Sequence, residues 1–176
     1  MENYYTRMNL PEPIVPAVQA VRLLKGQTAL VTGANSGIGR AIAIALGRAG
    51  ANVVVNYIAK PEEAEAGGAE IRSHGQGAMI VHADVADEAQ VQAMFAAAVR
   101  EFGTIDILAS NAGMERNAPF HEMTVAQWDA VMNVNLRGGF LCAREAVREF
   151  LRRGVRPEIS VAGGKINFTS SVHEVI

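Results

Sequence analysis

The sequence predicts an α/β domain built on a doubly wound parallel sheet, and three observations predict it. Short apolar runs alternate with helix-forming runs along most of the 176 residues. The apolar runs are rich in β-branched residues and lack a polar face, as strands covered on both sides require. A glycine cluster follows the first of these runs at once, where the chain turns into its first helix.

Each element has its own signal. Residues 27–32 (QTALVT) form a short apolar strand. Helix formers run from Arg40 to Ala49, and Gly50 stops them. Residues 51–57 (ANVVVNY) give a second strand. Pro61 opens a helix over 61–75, with Glu62 and Glu63 in its first turn, where the helix dipole favours acids. Residues 78–85 (AMIVHADV) are a third strand. Asp87 and Gln90 cap a helix over 88–102, which Gly103 ends. Residues 105–113 (IDILASNAG) are a fourth strand. Thr124 and Gln127 make a capping box for a long helix from Val125 to about Arg153, stopped by Gly154 and Pro157. Residues 164–170 (GKINFTS) supply a fifth strand. Residues 1–24, with Pro11, Pro13 and Pro16, are expected to form an extended arm, and 25–176 the folded domain.

Composition narrows the function. Hydrophobic residues make up 49% and charged ones 19%, with a net charge of −2. Such a balance gives no general pull toward nucleic acid or an acidic membrane. A single cysteine, Cys142, excludes an internal disulfide, fits a reducing compartment and reads as a core filler. No run reaches the roughly 18 apolar residues of a membrane span. The first residues lack the charged start and apolar core of a secretion signal. A soluble, cytoplasmic protein is expected. His74 and His82 have no partners at metal-ligand spacing, so no metal site is expected.

The first strand–helix turn reads Thr32-Gly33-Ala34-Asn35-Ser36-Gly37-Ile38-Gly39. Bare backbone there lets a pyrophosphate reach a helix N-terminus, whose free N–H groups and dipole favour negative charge. Gly33 permits the tight turn, Gly37 the approach of phosphate, and Gly39 the packing of helix on strand. The GK[ST] ending of an ATP-binding P-loop is lacking. The turn is read as the phosphate seat expected of a Rossmann fold.

These residues carry a resemblance. TGANSGIG resembles the TGxxxGxG signature of the short-chain dehydrogenase/reductase family. Asp84-Val85 closes the third strand, where that family contacts adenine. Asn111-Ala112-Gly113 resembles its NNAG, with Ser110 in place of the first Asn. Asn135 in NVNLRG matches the family's helix asparagine, and Ser171 in FTSSV its catalytic serine, favoured over Ser170. Longer stretches, such as VVVNY and INFTSSVHE, are similar to the sugar-oxidising members, glucose 1-dehydrogenase above all.

The resemblance implies NAD or NADP, held by Gly33, Asn35, Ser36, Gly37, Ile38, Gly39, Tyr57, Asp84, Val85, Asn111, Ala112 and Gly113. It implies Ser171 as donor to the substrate oxygen and Asn135 as holder of a relay water. The reaction is hydride transfer from a sugar or alcohol C–OH to the nicotinamide, with glucose C1 giving a lactone. Glu115 is a candidate for touching sugar hydroxyls, whereas His121 and His173 read as structural. A homo-oligomer is implied, a tetramer in the intact family, with the long helix after Thr124 against a partner subunit. Between the two cofactors, the end of the second strand decides. Asn56-Tyr57-Ile58 offers neither an acid to repel a 2′-phosphate nor an Arg to grip it, and Lys60 stands nearby. Use of either cofactor is expected.

One part of the family's site is missing. Its base is a Tyr in Tyr-x-x-x-Lys, whose Lys lowers the phenol pKa. The three tyrosines, Tyr4, Tyr5 and Tyr57, are not followed four residues later by Lys. The expectation is a chain truncated between two halves of its site, with a Rossmann sheet incomplete on the C-terminal side and the fifth strand left as an apolar edge. A catalytically silent remnant that binds only cofactor or partner subunits is the alternative. A methyltransferase on the same architecture fits less well, because Tyr57 stands where such sites want an acid.

Overall fold

Five parallel strands make one sheet in the order β3-β2-β1-β4-β5 in the computed structural model, which describes residues 21–170. The strands are β1 Thr28–Val31, β2 Asn52–Tyr57, β3 Ala78–His82, β4 Ile107–Ser110 and β5 Lys165–Phe168. The helices are α1 Gly37–Arg48, α2 Pro61–Ser73, α3 Glu88–Phe102, α4 Val125–Met132 and α5 Gly139–Arg153. Ser171, His173 and the arm to residue 20 lie outside the described residues. Leu24, the last residue of the expected arm, is bound to the domain: its amide donates to Ala49 O at 2.9 Å, and its side chain packs toward Ala29, Ala51 and Ile107.

The alternation of side chains along each strand sorts the core into two layers. Val31, Val53, Val55 and Ala109 face α1 and α2, meeting Ala43, Ala64 and Ile71. Leu30, Val54 and Leu108 face α3 and α5, meeting Val91, Met94, Phe95, Leu141 and Ala146. Helices therefore cover both faces, and the sheet is doubly wound, as the strand composition requires. Cys142 is fully buried in the second layer, where burial pushes its thiol up to about 12.

The predicted caps are present. Asp87 accepts from the Gln90 amide at 3.1 Å, and Gly103 ends α3 with φ 80°. Thr124 and Gln127 form the reciprocal capping box. Three boundaries differ from expectation. Helix α1 begins at Gly37, not Arg40, so the last two glycines of the cluster lie inside its first turn. Strands β3 and β4 stop at His82 and Ser110, short of the motifs that follow them, which leaves Asp84, Val85 and Asn111–Gly113 in loops beyond the strand ends. The long helix is not regular: Asn133–Gly138 forms a π-helical turn between α4 and α5. Such widened turns gather at functional sites.

The fifth strand is one edge of the sheet, β3 being the other, and its Ile166 and Phe168 are 36% and 57% exposed. A second exposed apolar stripe runs along the outside of α4, the π turn and α5 through Trp128, Leu136, Phe140, Val147 and Leu151.

Candidate functional site

The strand order reverses between β1 and β4, and a crevice opens there beyond the carboxyl ends of the strands, as such sheets dictate. Two clefts share it. The first, of about 690 Å³, is lined by the glycine turn, by Asn56 near the end of β2 and Ile58 just after it, by Ala83–Val85 after β3, and by Asn111–Met114. The second, of about 720 Å³, is lined by Ser110, Glu115, Asn135 and Phe168–Ser170. Asn111, Ala112, Gly113 and Met114 form the wall between them.

The glycine turn is shaped for close approach. Gly33 and Gly37 take φ +60° and +52°, conformations costly for a side-chain-bearing residue. A Cβ on Gly37 would meet no heavy atom within 4 Å, so that corner is open. A Cβ on Gly39 would overlap Gly33 O and Asn111 Nδ2. Ser36 starts α1 without a side-chain cap bond, so the first N–H groups of the helix have no protein cap.

Two buried polar side chains hold this turn. Thr32 Oγ1 accepts from the amides of Asn111 at 2.9 Å and Ala112 at 3.0 Å. Asn111 Nδ2 returns bonds to the carbonyls of Thr32 at 3.1 Å and Gly33 at 3.2 Å. Asn56, 2% exposed, accepts from the Gly33 amide at 3.3 Å and donates to Ala83 O at 2.9 Å. Four strand ends, those of β1 to β4, are thereby tied together by side-chain amides and one hydroxyl. Sequence reasoning gave Asn56 no such role. The signal was present: an asparagine inside VVVNY must satisfy its amide when buried.

The structure brings most of the sequence-derived residues together. Gly33, Asn35, Ser36, Gly37, Ile38, Gly39, Asp84, Val85, Asn111, Ala112 and Gly113 line the first cleft. Tyr57 does not line it. Its ring packs edge-on against His82, 5.4 Å between centroids, and Ile58 takes the position at the rim. Asn35 Nδ2 donates to Ala59 O at 3.3 Å, joining the glycine turn to the loop after β2. Asp84 Oδ1 accepts from the Ala86 amide at 2.9 Å and closes the turn into α3. Lys60 has φ 58°, and its ammonium is held by Glu63 at 2.7 Å, which raises its pKa.

Asn135 lies in the π turn and grips the dividing wall. Its Oδ1 accepts from the Met114 amide at 2.9 Å, and its Nδ2 donates to Met114 O at 3.0 Å. Glu115 reaches the second cleft, as does Ser170. His121 is largely exposed beside Glu122, away from both lining sets. Among the described residues no cluster of metal-ligating side chains occurs, and no helix is long and apolar enough to cross a membrane.

Fold and crevice together define an open, doubly wound α/β protein with a glycine-rich turn at its switch point. The chain belongs to the short chain dehydrogenase family, whose model matches residues 27–175. It is 40% identical over 149 residues to the 3-oxoacyl-(acyl-carrier-protein) reductase FabG of Staphylococcus aureus, covering 85% of this chain. A short-chain type dehydrogenase/reductase from Mycobacterium marinum superposes with a TM-score of 0.80 at 31% identity over 89% of the chain. A short chain dehydrogenase from Burkholderia cenocepacia, solved in complex with NADP, gives 0.70 at 38% identity over 72%. The chain spans 58% of the length of the first relative, 60% of the second and 51% of the third.

Proposed function

We propose that the chain carries the cofactor side of an NAD(P)-dependent oxidoreductase that moves a hydride between a nicotinamide and a carbon bearing a hydroxyl or carbonyl oxygen. The observation that supports this most is the open corner at Gly37 beside the uncapped start of α1. A diphosphate fits there without displacing a side chain, against N–H groups that lack a protein cap. When bound, the nicotinamide supplies the hydride acceptor or donor.

The chain's own residues divide the remaining work. The α1 amides and dipole bind the diphosphate. Asp84 and Val85 border the adenine end of the cleft, and Asn111 fixes the turn opposite. Asn135 keeps the wall between cofactor and substrate clefts in place by its two bonds to Met114. An amide has four hydrogen-bonding positions, so one lone pair and one N–H of Asn135 stay available for a relay water. Ser171, following Ser170 at the second cleft, is the proposed donor to the substrate oxygen. The family's Tyr-x-x-x-Lys base is not in the sequence, and Tyr57 packs on His82 and lines neither cleft. A positioned base is worth roughly 10² to 10⁴ in rate. The 176-residue chain is expected to bind dinucleotide and to show no measurable turnover.

For the substrate, the proposed reading is a sugar C–OH, glucose C1 in particular, carried by the quoted sequence stretches and by the Glu115 carboxylate at the second cleft. A second reading, reduction of a 3-oxoacyl thioester, is favoured by the 40% identity with FabG. For the cofactor, Ile58 at the rim neither repels nor grips a 2′-phosphate, and Lys60 is engaged by Glu63. Use of both NAD and NADP is proposed. The exposed stripe from Trp128 to Leu151 is the proposed subunit contact of a homo-oligomer.

Calorimetric titration tests the first claim. Both dinucleotides should bind with Kd below about 1 mM and within tenfold of each other. A folded chain that binds neither overturns the reading, and a larger preference for NAD overturns dual use. Saturation-transfer NMR with dinucleotide present, comparing glucose with a 3-oxoacyl thioester, separates the two substrate readings.

A further inference from the structure

At the base of the sheet, opposite the crevice, lies a second polar cluster that none of the motifs touches. Asp106 sits just before β4 with its side chain 4% exposed. Its Oδ2 accepts from the Thr28 amide at 2.8 Å, which joins it to β1. Its Oδ1 accepts from Arg156 at 2.7 Å and lies 3.2 Å from an N–H nitrogen of Arg153. Arg153, 7% exposed, also donates to Gly154 O at 2.8 Å and Gly163 O at 2.7 Å, so it spans both ends of the loop that leads into β5. Lys165 opens β5, and its ammonium donates to Gln27 Oε1 at 2.9 Å and Ser160 Oγ at 3.0 Å. Ile159 lies against Gly26, just ahead of β1.

The charges here do not balance. Two guanidinium groups share Asp106, the one carboxylate in ion-pair reach of either among the described residues. The Nε atoms of Arg153 and Arg156 are buried without a partner. Such a cluster depends on its single anion, because removing it strands the buried Arg153 and leaves the half-buried Arg156 without its carboxylate. Strand β5 has little else to fix it. Its residues Ile166, Asn167 and Phe168 are exposed, and besides the α5 face and the Lys165 bonds only the ladder to β4 holds it.

We propose that Asp106 is a positioning residue. It clasps loop 154–164 to the base of the sheet, and the clasp seats β5 and so the two residues after it, Thr169 and Ser170, that line the second cleft. The clasp stands whether or not the reaction proposed above is right; only the meaning of Thr169 and Ser170 as site residues rests on that reading.

Native-state hydrogen exchange on the 176-residue chain tests it, comparing wild type with Asp106→Asn and with the milder Arg156→Gln. In Asp106→Asn, amides across 165–169 should exchange more than about 30-fold faster, while those of β2 and β3 stay within about threefold. Arg156→Gln should give the same pattern with a smaller increase, and it carries the test if Asp106→Asn does not fold. The double variant should exchange at 165–169 no faster than Asp106→Asn alone, since it strands one cation fewer. Unchanged exchange at 165–169, equal acceleration of all strands, or multiplying effects in the double variant would each overturn the proposal.

Discussion

The two halves of the sheet are held by different physics. In the half made of β1, β2 and β3, the strand that carries the cofactor turn is wholly buried, and its neighbour β2 is buried at Val53, Val54, Val55 and Asn56. The loops at its mouth are tied by neutral amides that each find a partner. In the half made of β4 and β5, the outer strand is exposed along most of its length and its connecting loop is held by charge. Apolar packing with satisfied amides makes a rigid platform that fixes geometry closely. A charged clasp under a thin edge strand makes a segment whose opening free energy is lower than that of the rest. A phosphate seat needs the first kind of support.

Gly39→Ala should produce the largest effect. Its Cβ would drive into backbone and into Asn111, costing about 3 kcal/mol and removing dinucleotide binding. Urea denaturation and calorimetry check this, and damage that appeared first at β5 would break the contrast between halves. Asn56→Ala comes next. Leaving the Gly33 amide and the Ala83 carbonyl with lost partners should cost about 2 kcal/mol and weaken binding about tenfold. Asn56→Asp, which buries a carboxylate against the Val81 and Ala83 carbonyls, should cost at least as much as Ala in both measurements. On the other side, Gly164→Ala sets a Cβ into the ring of Phe150. That ring can shift, so a loss of about 1–2 kcal/mol is expected, with dinucleotide affinity unchanged. A binding defect there would show the halves to be coupled.

The smallest effect belongs to neither half. Asp87→Ala removes the cap of α3 and should lower Tm by a few degrees at neutral pH. Bonds from the Gln90 backbone and side chain hold the Asp87 carboxyl below its ordinary 3.8. A depressed folded pKa stabilises above the unfolded value and is lost as pH falls through the folded one. The Tm gap between wild type and variant should therefore be full at pH 6–7 and close as the pH drops below about 4. A gap that persisted in acid would mean that the cap acts through its shape and not its charge.

Legibility followed the range of the interactions. Local signals were readable: the glycine turn, the Asp87 and Thr124 caps, and the β-branched runs all act within a few residues. What failed to show depends on distant partners. Tyr57 was placed in the cleft by its position at the end of β2, yet His82, 25 residues on, takes its ring. Asn135 was readable as a poor helix former, but the π turn around it exists alongside its bonds to Met114, which no helical periodicity reports. The loop before β5 showed only as long. Its purpose lies in Asp106, some 50 residues earlier.

The widened turn at Asn133–Gly138 also sets a phase. A π turn holds one residue more than the α-helix would use for the same advance. Each residue rotates an α-helix by about 100°. Wound as plain α-helix with the same residues, the surplus position would turn α5 by about 100°, swinging Cys142 and Ala146 away from the sheet, whereas excising one position would leave α5 facing as it does. The local irregularity is thus what keeps the greasy flank of the second segment in step with the floor beneath it.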